Sequence, residues 1–100
     1  MASKLESDFQ ANVLIPKIRE AFPGCIIMKN DSSYIQGIPD LTILYHDQWA
    51  LIEVKANEQA SHQPNQDYYI GIADEWSFGD FAYPENADYI IKSLQHFFRS

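Results

Sequence analysis

One stretch, GIPDLTILYHDQWALIEVKA at residues 37–56, constrains this chain more than any other. Two runs of β-forming residues flank a polar Asp47-Gln48, so they read as a hairpin over about 40–46 and 49–55. Side chains alternate along a strand, which puts Leu41, Ile43, Tyr45, Ala50, Ile52 and Val54 on one apolar face, the core side. Asp40, Thr42, Glu53 and Lys55 share the other. A two-residue loop at Asp47-Gln48 places Thr42 opposite Glu53 and Asp40 opposite Lys55. A three-residue loop would displace the register by one and bring Glu53 against Ile43.

On the first register, two carboxylates, a hydroxyl and an ammonium lie within ~5–8 Å of one another. A salt bridge on an exposed hairpin would explain such a patch. GIPD argues for more, because Gly37 and Pro39 fix the approach of the backbone to Asp40. Two close carboxylates repel unless a cation joins them. Mg²⁺ or Mn²⁺ suits an all-oxygen donor set, with the Val54 carbonyl between Glu53 and Lys55 as a further donor. Lys55 could then hold a water nucleophile or stabilise negative charge developing on a phosphoryl group.

Around the hairpin the pattern is that of a mixed α/β chain. Residues 4–22 read as a helix with two apolar stripes (Leu5, Phe9, Val13 and Leu14, Ile18, Phe22), and Pro16 predicts a kink or break. CIIMK at 25–29 reads as a strand, NDSSYIQG at 30–37 as a loop, and Pro64 as the start of a short helix to about Ile72. Residues 77–83 read as a last strand. After Pro84, the spacing of Ala87, Ile90, Ile91, Leu94 and Phe98 gives an amphipathic helix. The predicted order is α-β-β-β-α-β-α, a mixed β-sheet flanked by helices.

Composition narrows the function classes. One hundred residues suffice for a single domain, 1–100. No run approaches the ~20 apolar residues of a membrane span, and residues 1–10 carry no apolar signal core, so a cytoplasmic protein is expected. The lone Cys25 reads as a buried thiol. The net charge is −7, and residues 56–91 hold seven acids and no Lys or Arg. Four of the seven basic residues lie in the first thirty. A polyanion would therefore be steered to the N-terminal part or need metal ions to mask the acids. The alternative is a non-catalytic acidic protein that presents a DNA-like surface to a basic partner.

The motif Pro39-Asp40, twelve residues, then Glu53-Val54-Lys55 resembles that of the PD-(D/E)XK nucleases. GIPDL with IEVKA and the downstream Gln66 in PNQDYY is most similar to its VRR-NUC branch, the virus-type replication-repair nucleases. The resemblance runs from Glu6 to about Tyr83. It implies a restriction-endonuclease-like core and a Mg²⁺- or Mn²⁺-dependent endonuclease acting on DNA. It implies Asp40, Glu53 and the Val54 carbonyl as metal ligands, Lys55 as the group that positions the attacking water, and Gln66 pointing back to the site. A further acid is implied on the first helix: Glu6 matches best, with Glu20 as the other candidate. By analogy with small virus-type members, a homodimer acting on branched or four-way-junction DNA is expected, in a bacterial or phage-infected cell.

Overall fold

The computed structural model describes residues 3–99. Four strands form one sheet in the order β1 (Ile26–Lys29), β2 (Leu41–Tyr45), β3 (Gln48–Val54) and β4 (Gly79–Ala82). The first three make an antiparallel meander, and β4 runs parallel to β3. A parallel neighbour needs a crossover, and α3 (Pro64–Trp76) supplies it. The predicted element order is observed throughout, with α3 extending four residues beyond the expected Ile72.

The N-terminal helix is not broken at Pro16. α1 (Lys4–Phe9) passes through a π-helical turn, Gln10–Leu14, into α2 (Ile15–Ala21). Pro16 has no N–H, and its ring crowds the carbonyl four residues back, at Asn12. The widened turn absorbs both problems: Ile15 N–H reaches back five residues to the Gln10 carbonyl. Of the two apolar stripes, Phe9, Leu14, Ile18 and Phe22 are buried, whereas Leu5 and Val13 face outward.

One sheet face, with Leu41, Ile43, Ala50, Ile52 and Val54, packs against α1, α2 and α4 (Ala87–Arg99) in a core that includes Leu14, Ile18, Ile90, Leu94 and Phe98. Tyr45, the sixth residue expected on this face, lies half-buried against that core, with its ring 5.3 Å from Phe22 and 5.6 Å from Phe98. Pro84 opens a short 3₁₀ turn, Pro84–Asn86, before α4 begins. The second sheet face is covered by α3, but only over β3 and β4. Ile26 and Met28 of β1 remain exposed on that side.

The hairpin turns on His46-Asp47, one residue earlier than expected, with His46 in the left-handed region at φ 57°. Histidine tolerates that conformation better than most side chains. Gln48 thereby joins β3 opposite Tyr45, and its amide reaches the Phe97 carbonyl of α4 at 3.3 Å. The register moves by two residues. Thr42 faces Leu51, and Leu41 faces Ile52. A two-residue shift preserves which face each side chain occupies but changes every partner.

Candidate active site

The shifted register brings Asp40, the residue before β2, level with Glu53 rather than Lys55. The Asp40 N–H donates to Glu53 Oε1 at 3.2 Å, and Asp40 Oδ2 accepts from the Val54 N–H at 2.8 Å. In an extended strand the two main-chain groups of one residue point the same way, which aims the Val54 carbonyl toward Asp40 as well. Thr42 drops out of the patch. Its hydroxyl pairs instead with Asn30.

The patch is not on an open surface. Glu53 is 5% and Lys55 7% exposed. The first turn of α3 closes over them, and Gln66 joins the two. Its Nε2 donates to Glu53 Oε2 at 2.9 Å, and its Oε1 accepts from Lys55 Nζ at 2.6 Å. Lys55 Nζ also donates to the Ser61 carbonyl at 3.1 Å and lies 3.7 Å from Glu53 Oε2. Gln66 Oε1 further accepts the Gln63 N–H at 3.0 Å, so the residue that reaches into the site also caps its own helix.

Gly37 lets the helix come this close. Its φ of 89° suits glycine, and a Cβ there would collide with Asn65 in the first turn of α3.

Glu6 lines the same cleft, of about 410 Å³, together with Asp40, Glu53, Lys55 and Gln66. Ser3 holds the start of α1 by accepting the Glu6 N–H at 3.1 Å. Glu20 lies elsewhere, in the cleft between α2 and α4 with Lys17 and Asp88. The structure therefore brings Glu6, and not Glu20, to the predicted site.

Burial dominates the electrostatics. Desolvation, then the nearby Asp40 carboxylate, pushes the Glu53 carboxyl up to about 8 against the pull of Lys55. Asp40 is also raised, mainly by burial, and the Val54 N–H and Lys55 oppose the shift. Burial raises Glu6 as well, partly offset by Lys55. Three acids with elevated proton affinity around one ammonium make a place where a cation is favoured.

Among the described residues, no three His, Cys, Asp or Glu side chains converge into a ready-made metal cage. The donors at hand, the neighbouring Asp40 and Glu53 carboxylates and the Val54 carbonyl, are all hard oxygens. They fit Mg²⁺ or Mn²⁺, which retain waters and take substrate oxygens rather than demanding an all-protein shell.

The Ser61 carbonyl and the Asn30 amide were not legible in the sequence, because each contact depends on how an irregular loop folds back on the strand end it leaves. The QPNQ spacing at 63–66, a glutamine three residues after a helix cap, was the one available signal for Gln66 turning back on its own helix start. Trp76, at the end of α3, is 72% exposed.

No protein-family model matches the sequence, and no curated protein does. Among solved structures, the chain is similar to a VRR_NUC domain protein, with a TM-score of 0.67 and 19% sequence identity over 99% of this chain and 92% of that one. The fold is thus that of a VRR_NUC domain: helix, three-stranded meander, crossover helix, parallel strand, helix. No helix among the described residues is long and apolar enough to cross a membrane.

Proposed function

We propose that this chain is a VRR-NUC-type nuclease of the PD-(D/E)XK superfamily, a Mg²⁺- or Mn²⁺-dependent endonuclease hydrolysing DNA phosphodiester bonds. The observation that carries the reading is the group Asp40–Glu53–Lys55–Gln66, with Glu53 and Lys55 buried and Asp40 and Gln66 half-buried, closed by hydrogen bonds and open to a cleft. A surface salt bridge needs neither the burial nor the glutamine that ties both partners.

Asp40, Glu53 and the Val54 carbonyl would hold the cation, with Glu6 at the rim of the same cleft. When bound there, the cation supplies Lewis acidity to a phosphoryl oxygen and offsets the negative charge of protein and substrate. Lys55, fixed by Gln66 and Ser61, orients the attacking water and faces the charge that develops on phosphorus. Gln66 bridges Lys55 and Glu53, which form an ion pair at 3.7 Å.

The partner in solution is a second copy of the chain. Around the sheet face that α3 leaves uncovered, Ile26 and Met28 of β1, Tyr34 and Ile35 of the following loop, and Tyr68 and Trp76 of α3 itself are each more than a third exposed. A standard interface needs about 800 Å² per partner, and aromatic side chains supply the largest shares of such an area. The two hollows on this face have a single charged side chain in their walls, Asp31, so two acidic chains can meet there. A dimer would present two sites, which suits branched DNA such as a four-way junction.

The decisive test is cleavage of supercoiled, linear, flapped and four-way-junction DNA with Mg²⁺, Mn²⁺ or EDTA, comparing wild type with Glu53→Ala and Lys55→Ala. Metal-dependent cutting lost in both variants is the expected result. No cutting of any DNA, with no Mn²⁺ binding, would leave the acidic DNA-mimic reading in its place.

A further inference from the structure

The peptide group between Pro39 and Asp40 is held at both ends. Its N–H donates to Glu53 Oε1 at 3.2 Å. Its carbonyl accepts from Asn30 Nδ2 at 2.8 Å. Asn30 is itself fixed. Its main-chain N–H donates to the Asp40 carbonyl at 2.8 Å, and its side-chain amide and the Thr42 hydroxyl lie 2.8 and 3.2 Å apart, Nδ2 and Oδ1 to Oγ1. One half-buried asparagine at the end of β1 therefore clamps the peptide that presents Asp40 and steers Glu53.

We propose that Asn30 is a positioning residue for the carboxylate pair. Its side chain acts on Asp40 and Glu53 through the Pro39–Asp40 peptide, and this inference rests on the proposed metal site. Pro39 fixes its own φ, and with it the approach of the chain, but its ring leaves ψ free, the torsion that rotates the Pro39–Asp40 peptide. The peptide plane before Asp40 thus needs an outside partner to define its rotation. A donor on the carbonyl also polarises the amide and strengthens its N–H as a donor to Glu53. Rotation of this one peptide would turn the N–H away from Glu53 and displace the Asp40 side chain that bonds Val54, loosening both donors together.

Partners that orient metal ligands typically contribute 10–100-fold to metal affinity or activity. The test is Mn²⁺ titration by calorimetry on folded protein, with the Asp40 amide resonance followed by NMR. Asn30→Ala is expected to weaken Mn²⁺ binding about tenfold or more and to shift the Asp40 amide resonance in metal-free protein. Asn30→Asp has nearly the same shape and can still accept from Thr42, so it tests the lost donor if Asn30→Ala folds poorly; weaker binding is again expected, despite the added negative charge. Thr42→Val removes the other partner of Asn30 and should stay within about twofold of wild type, because the Pro39 carbonyl keeps its donor. Wild-type Mn²⁺ affinity in a folded Asn30 variant, or an equal loss in Thr42→Val, would overturn the assignment. Glu53→Ala separates the two readings. If it binds Mn²⁺ as wild type does, the metal site itself is wrong; if it alone loses binding, only the role of Asn30 fails.

Discussion

Gln66 Oε1 accepts a 2.6 Å hydrogen bond from Lys55 Nζ, and this contact fixes an otherwise flexible four-carbon side chain at the end of β3. The same amide donates to Glu53, so its loss frees the lysine and strips a donor from the carboxylate together. Gln66→Ala is expected to destabilise the protein by roughly 2 kcal/mol, since hydrogen bonds to buried charged groups contribute more than neutral ones. Cleavage should fall about 10–100-fold. Urea unfolding and single-turnover cleavage would measure both. An unchanged rate would remove Gln66 from the site.

Metal-free stability should depend on pH through Glu53. Its carboxyl sits near 8 in the folded chain against an ordinary value of 4.5. The folded state therefore binds more protons than the unfolded state between these values, and stability falls as pH rises through the window. The contribution is fully present below about 4.5 and lost above about 8. Asp40, also raised, acts in the same direction. Thermal unfolding in EDTA from pH 5 to 9 should show a declining midpoint, and Glu53→Gln should flatten it. With Mn²⁺ present the trend should reverse, because the cation competes with the proton for the same oxygens.

The approach of α3 to the site can be tested at Gly37. Gly37→Ala combines a strained backbone with a collision at Asn65, and a loss of at least about 2 kcal/mol is expected. Gly71→Ala is the control. Nothing lies within reach of a Cβ there, and a helix interior favours alanine by up to about 1 kcal/mol. Denaturant midpoints moving in opposite directions would bear out both statements.

The uncovered sheet face predicts the oligomeric state. Met28→Glu places a charge on β1, at the edge of this apolar face, and should convert a dimer to a monomer without unfolding it, because Met28 is 43% exposed in the single chain. Sedimentation velocity would decide. A wild-type monomer at high concentration would count against the interface.

Much of the site was legible because a strand's side-chain period is two. Asp40, Glu53 and Lys55 had to share a face in any even register, and Leu41, Ile43, Ala50, Ile52 and Val54 had to form the opposite one. That parity survived the two-residue change of register. The exact partners did not, because the turn depends on His46 taking a left-handed conformation, which few side chains adopt, and on Gln48 reaching α4, a contact far along the chain. Pro16 gave a similar lesson. Its missing N–H was readable, but its accommodation in a π turn rather than a break depends on packing that keeps both halves of the helix on the core.

The sequence by itself therefore determined the order of elements, the polarity of each sheet face and the residue types gathered at the end of the hairpin, since these follow from periodicity and backbone restrictions. Only the tertiary structure decided that Asp40 stands level with Glu53, that Gln66 ties Glu53 to Lys55, that Glu6 rather than Glu20 reaches the cleft, and that Asn30 holds the Pro39 carbonyl. Those contacts join segments distant in sequence, and their geometry is set by how the crossover helix and the loop after β1 close on the sheet, which no local pattern encodes.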